Sequence, residues 1–180
     1  MKKISDKKLF DGQWISLYET VFENRRGEQI VWECIRRKKS AVGVVAVAEL
    51  KPSRRFILIK QFRPALNGYV LSFPAGMSQG DPQHALVELK EETGYTGRIV
   101  DVSPLLKASF GLINDSVYVV AMEVDEFDPQ NQNPQQELES AEDITVVLVK
   151  REEARDFLIR EQKAGTFIAS NLWHMFGVGI

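Results

Sequence analysis

Three glutamates, Glu88, Glu91 and Glu92, stand at i, i+3 and i+4 in the segment Val87-Glu88-Leu89-Lys90-Glu91-Glu92-Thr93-Gly94. Asp81-Pro82 upstream predicts a helix start, with Asp81 as N-cap and Pro82 in the first helical position. Gly94 predicts an end in the left-handed conformation. Between those limits all three carboxylates project from one face. Glu91 and Glu92 fall in the last turn, where the helix dipole disfavours negative charge by about 0.3–1 kcal/mol each. Like charges at this spacing add a comparable cost. A solvated acidic face is one reading of three such acids. The other is a cation site, and hard ions that prefer oxygen ligands, Mg2+ or Mn2+, suit it.

The remaining chain reads mostly as strands. Trp14 to Phe22 is rich in β-branched and aromatic residues, Asn24-Arg25-Arg26-Gly27 supplies a turn, and Glu28 to Ile35 runs back. An isolated hairpin is marginal in water, so this one needs a surface to pack on. Arg36-Arg37-Lys38-Lys39 reads either as a solvated strand end or as an edge facing phosphate. Ala41 to Leu50 is nearly continuous in apolar residues, as expected of a strand covered on both faces. Phe56 to Arg63, Tyr69 to Phe73, Arg98 to Val102, Val117 to Val124 and Thr145 to Val149 are further strands. Asp125 to Ala141 is long, polar and rich in amides and proline, which predicts a mobile lid. Arg151 to Arg160 is an amphipathic helix ending near Gly165, and Ile168 to Met175 predicts a second, apolar one. His84 and His174 are the two histidines, and neither suggests a histidine metal site.

The string from Pro74-Ala75-Gly76 to Gly94 resembles the Nudix box, a glycine loop followed by a helix bearing Arg-Glu-hydrophobic-x-Glu-Glu-x-Gly. Glu88, Leu89, Glu91, Glu92 and Gly94 match in register. Val87 stands where the family has arginine, the loop after Gly76 is shorter than the family spacing, and Ser72 stands where relatives usually have glutamate. The resemblance implies an α+β Nudix fold, a mixed β-sheet sandwiched between helices, with an N-terminal antiparallel β-sheet appendage. Residues 1–39 would form the dimerisation segment and 40–180 the hydrolase domain. The layout is similar to the ADP-ribose and nucleotide-sugar branch, which implies a domain-swapped homodimer.

That resemblance also implies roles. Glu88, Glu91 and Glu92, with the carbonyl of Ala75, would hold one to three Mg2+ or Mn2+ ions. Glu142, just before an Ile-led strand, would be the general base, with Glu139 and Glu137 in reserve; solvated loop acids are the alternative. Arg63, in Gln-Phe-Arg, would face the substrate phosphates, with Arg37, unless it is a surface strand end. Trp32 is core filler or a stacking partner for the nucleobase. The expected reaction is metal-dependent hydrolysis of the pyrophosphate bond in ADP-ribose or a nucleoside diphosphate sugar such as GDP-mannose. The products would be a nucleoside monophosphate and a sugar phosphate. The alternative is a catalytically impaired module that binds a nucleotide sugar, because the missing arginine normally orients the box glutamate corresponding to Glu91.

Composition restricts partners. A formal charge of -2 carries no bias toward nucleic acid or an anionic membrane. The single cysteine, Cys34, excludes an internal disulfide and reads as a small hydrophobe on a strand. The N-terminal residues are polar where a signal peptide would be apolar, and no run approaches a membrane span. A cytoplasmic protein acting on a nucleotide-sugar small molecule is the expectation.

Overall fold

β-Branched and aromatic runs form twelve strands in the computed structural model, which describes residues 1–39 and 42–178. In chain order these are β1 (Lys2–Asp11), β2 (Ile15–Glu23), β3 (Gln29–Arg37), β4 (Val42–Lys51), β5 (Arg55–Arg63), β6 (Gly68–Ser72) and β7 (Ala75–Ser78). Helix α1 (His84–Thr93) follows, then β8 (Arg98–Val102), β9 (Leu106–Lys107), β10 (Ser116–Asp125) and β11 (Ile144–Lys150). Helix α2 (Arg151–Lys163), β12 (Phe167–Ile168) and the short α3 (Ser170–Leu172) end the chain. Two compact units divide it: Met1–Gly43, Met77–Asp81 and Ser103–Tyr118 form the first, and the intervening segments with the C-terminal region the second. Among the described residues no helix is long and apolar enough to cross a membrane.

The first unit contains a three-stranded antiparallel sheet, β1-β2-β3. The expected hairpin forms in register from Ile15↔Arg37 to Glu23↔Gln29. Its turn is closed by Asn24 Oδ1, which accepts from the backbone N–H of Arg26 and Glu28, while Gly27 adopts φ +79°. Strand β1 has no legible period in the sequence because its lysines come in consecutive pairs, Lys2-Lys3 and Lys7-Lys8. It is an exposed edge held by Asp6, which accepts from Arg36 at 2.6 and 2.7 Å and from Thr20 at 2.6 Å. The Arg36 guanidinium beside it holds the Asp6 carboxyl well below the usual carboxylate range. The loop after β9 is tied to β3, since Ile35 N–H donates to Leu112 O and Trp32 Nε1 to Gly111 O.

In the second unit a mixed sheet runs β12-β6-β5-β4-β10-β8, with β11 pairing antiparallel to β5. Ala41, where the expected strand would begin, lies outside the described residues. In β4 burial alternates, with Val44, Ala46, Ala48 and Leu50 fully inside. Strand β5 is covered on both faces. Its Phe56 and Leu58 pack with Leu71, Phe73, Val149, Ala154, Leu158 and Leu172 on the α2 side. Ile57, Ile59 and Gln61 point the opposite way, toward the side on which α1 packs against β5 and β11.

Three local expectations are corrected. Helix α1 begins at His84, not Pro82, because Ala85 N–H to Pro82 O and Leu86 N–H to Gln83 O wind the preceding residues as a tight turn. No helix spans Ile168 to Met175. Phe167 and Ile168 instead pair in parallel with Val70 and Leu71, and the helical turns start at Ser170. The polar stretch from Asp125 is also no free lid, because Asn131 anchors it. That side chain is 6% exposed; it accepts from Thr96 N–H at 2.8 Å and donates to the carbonyls of Thr96 and Asp125, both at 2.9 Å.

This anchored stretch caps α1. Glu137 N–H donates to Glu91 O at 2.8 Å, Gln136 Nε2 to Glu92 O at 2.6 Å, and Gly94 N–H to Lys90 O at 2.8 Å. Last-turn carbonyls that a helix normally leaves to solvent thus have fixed partners. Gly94 has φ +79°, and a Cβ there would lie 2.4 Å from Gln135 N. Gly94→Ala therefore meets both backbone strain and a collision with backbone. We expect a loss of about 2 kcal/mol or more in urea unfolding, with faster amide exchange over 131–137.

Candidate active site

Helix α1 buries Ala85, Leu89, Glu92 and Thr93. Ala85, Leu89 and Glu92 follow one another at i, i+4 and i+7, the spacing of a core stripe. The stripe therefore ends in a carboxylate, 2% exposed. Glu92 Oε2 accepts from the backbone N–H of Ala75 at 2.9 Å, which locks the start of β7, where a loop was expected, to the helix. Burial pushes the Glu92 carboxyl up to about 8, further raised by the charges of Glu88 and Glu142; the Ala75 N–H and the Arg63 charge pull the other way.

Glu88, one turn earlier, has a side chain only 13% exposed. Burial raises its pKa as well, and Glu91 and Glu142 add to the rise, while His84 opposes it. His84 Nε2 lies 3.1 Å from Glu88 Oε1. The other flank is Gly76: a Cβ there would fall 1.8 Å from Glu88 Oε1, so only glycine leaves room for this carboxylate. Glu91 is exposed on the same helix.

Glu142 belongs to a turn closed on itself: its N–H donates to Glu139 O at 3.0 Å, and its Oε2 accepts from Glu139 N–H at 2.9 Å. The next residue pins the turn to the sheet. Asp143 O accepts from Phe62 N–H at 3.0 Å and Asp143 Oδ2 from the Tyr69 hydroxyl at 2.6 Å. Arg63 ends β5, exposed. In this unit the fold thus brings Glu88, Glu142 and Arg63 within electrostatic reach of Glu92, with Glu142 and Glu91 also acting on Glu88. The Glu139 side chain is exposed.

Trp32 and Arg37 belong to the first unit. Trp32 is 54% exposed and lines a cavity of about 430 Å³ with Phe110, Leu112 and Cys34, so it is not core filler. Arg37 is paired with Asp115 at 2.9 Å. Val87, in the position of the family's arginine, is 42% exposed and offers no donor. Lys90 does not replace it; its Nζ donates to Gly94 O at 3.1 Å. His84 is the group the sequence reading missed, and its signal was the i, i+4 spacing to Glu88. His174 is exposed.

The donors fit a hard divalent cation in kind: three carboxylates on one helix, two of them, Glu88 and Glu92, held from water and repelling one another. Among the described residues no three His, Cys, Asp or Glu groups already converge on one point. The fit thus rests on donor chemistry and on the Gly76 cradle.

No family model matches the chain. A Caenorhabditis elegans protein named as a nudix hydrolase is 33% identical, over 91% of this chain and 78% of its own length. An ADP-ribose pyrophosphatase of Saccharomyces cerevisiae is 31% identical, over 88% of this chain and 74% of its own. The crystal structure of an ADP compounds hydrolase superposes with a TM-score of 0.66 at 18% identity, covering 92% of this chain and 96% of that one, and shares the fold. The chain belongs to the Nudix hydrolase family. Membership implies dependence on a divalent metal in general.

The raised Glu92 pKa has a consequence for stability. Between the ordinary glutamate value of about 4.3 and about 8, the folded chain keeps a proton that the unfolded chain releases. Stability of the metal-free protein therefore falls as pH rises through that window. Thermal melts in chelator should show Tm declining from pH 5 to pH 8. Glu92→Gln should flatten most of the slope, and added divalent ion should restore Tm at pH 8.

Proposed function

We propose that this protein hydrolyses the pyrophosphate bond of ADP-ribose or of a nucleoside diphosphate sugar such as GDP-mannose, with Mg2+ or Mn2+, in the cytoplasm. The observation that carries the reading is Glu92, an acid kept at a core position beside Glu88 and Glu142 at the cost of a strongly raised pKa. A helix stripe built for stability alone would end in an apolar residue. The name of the yeast relative supports the substrate class.

In this reading Glu88, Glu91 and Glu92, with the Ala75 carbonyl, hold the ions. When bound, these supply charge neutralisation for the diphosphate oxygens and an acidified water. Arg63 binds the bridging phosphates by charge-assisted hydrogen bonds. Glu142, tethered through Asp143, accepts the proton of the attacking water, and Glu139 closes its turn. The Ala75 N–H and His84 fix the Glu92 and Glu88 carboxylates. The products are a nucleoside monophosphate and a sugar phosphate.

The N-terminal segment, 1–39, is proposed to be exchanged in a domain-swapped homodimer. Its sheet leaves Phe10, Val31 and Trp32 64%, 59% and 54% exposed, more apolar surface than a lone sheet keeps in water. Trp32 stacks the base and Arg37, with Arg63, holds the phosphates. Light scattering at micromolar concentration should give a dimer; a monomer overturns the exchange.

Val87 favours a second reading, a nucleotide-sugar binding module without turnover. Incubation with Mg2+ or Mn2+ and ADP-ribose, GDP-mannose or UDP-glucose, followed by phosphatase and phosphate release, separates the two. The hydrolase reading expects release, reduced about a hundredfold or more in Glu91→Gln and Glu92→Gln. Arg63→Ala should raise KM about tenfold. No turnover in the wild type, with nucleotide binding that persists in both glutamine variants, favours the module.

A further inference from the structure

Gln61 is 5% exposed, and its side-chain oxygen Oε1 has no hydrogen-bond partner. A buried amide oxygen without a donor is uncommon and destabilising, so the fold retains it at a cost. Its direction follows from the sheet. Gln61 alternates with Leu58 and Phe56, which face α2, and shares a face with Ile57, Ile59 and Arg63. That is the α1 side, and the Arg63 charge two residues along acts on Glu92. In the neighbouring strand Gln61 pairs with Ile144, two residues after Glu142, whose charge acts on Glu88 and Glu92. The orphaned oxygen is thus on the face that carries the acid centre.

What donor suits it is a matter of elimination. Ile57, Ile59 and Ile144 offer none, Arg63 makes no bond to it, and with a cation bound the carboxylates of Glu88, Glu92 and Glu142 are ionised and only accept. We propose that Gln61 is a positioning residue. Its Oε1 accepts a hydrogen bond from a water molecule in the hydration shell of the divalent ion that Glu88, Glu91 and Glu92 hold. A cation makes such a water a better donor, and a buried acceptor fixed by the central strand restricts its orientation. The inference rests on the metal-dependent reading of this centre.

The test compares wild type, Gln61→Met and Gln61→Glu. Mn2+ affinity by electron paramagnetic resonance, Tm in chelator, and kcat and KM on ADP-ribose are the readouts. Methionine keeps the volume and removes the acceptor; glutamate keeps an acceptor at the same reach. The expectation for Gln61→Met is Mn2+ binding weakened about tenfold and kcat lowered by a similar factor with KM nearly unchanged. Its Tm in chelator should be no lower than wild type, because the orphaned atom is gone. Gln61→Glu should recover the Mn2+ affinity. If methionine does not fold, Gln61→Leu carries the same expectation. Mn2+ affinity and kcat equal to wild type in the apolar variant overturn the role of Gln61 and leave the hydrolase reading intact, and a wild type that binds no Mn2+ overturns both. Weakened Mn2+ binding in a protein that hydrolyses no compound supports Gln61 and removes the hydrolase.

Discussion

Glu92 occupies the i+7 position of a stripe whose earlier members, Ala85 and Leu89, are completely buried, and much of the second unit is arranged to tolerate it. One carboxylate oxygen is taken by the Ala75 N–H, which ties the start of β7 to the helix. The Arg63 charge at the end of β5 opposes the desolvation without cancelling it. Removing water around a carboxylate costs more than one hydrogen bond returns, and the carboxyl remains raised to about 8. The centre is therefore under electrostatic tension that a divalent cation would relieve.

Around that centre, support comes from short local devices. His84 reaches Glu88 from one turn earlier on the same helix, Gly76 leaves the space that Glu88 fills, and residues 135–137 close the end of α1 against Gly94 and the last carbonyls. The helix that carries the acids is thus held at its last turn, where charge repulsion and the dipole would otherwise fray it. Val87 supplies no brace for Glu91; His84 and the Ala75 N–H hold the other two glutamates, Glu88 and Glu92, directly.

Periodicity and turn chemistry made β2, β3, β5, β8 and the main part of α1 legible, because each has a clear period, a turn or a left-handed glycine. Strand β1 was hidden because its paired lysines leave no alternation to read. The helix expected from Ile168 starts only at Ser170, because Ile168, with Phe167, pairs with Leu71 and Val70, and two strand residues give no period of their own. The polar run from Asp125 looked free because its anchor is a single amide, Asn131, whose partners lie in Thr96 and Asp125. Gln61 carries no sequence signal of its own; its burial and its oxygen without a partner are visible only in the packed sheet.

The sequence by itself determined that three carboxylates lie on one helix face ending at Gly94 and that the chain is Nudix-like. These follow from spacing within a few residues, where backbone geometry dictates which side chains are neighbours. The expected Pro74-Ala75-Gly76 loop is instead the entry to strand β7. Only the tertiary structure decided which of the three acids is buried and that Glu142 and Arg63 act on it. Burial and long-range charge depend on which segments pack together, and no local period encodes that.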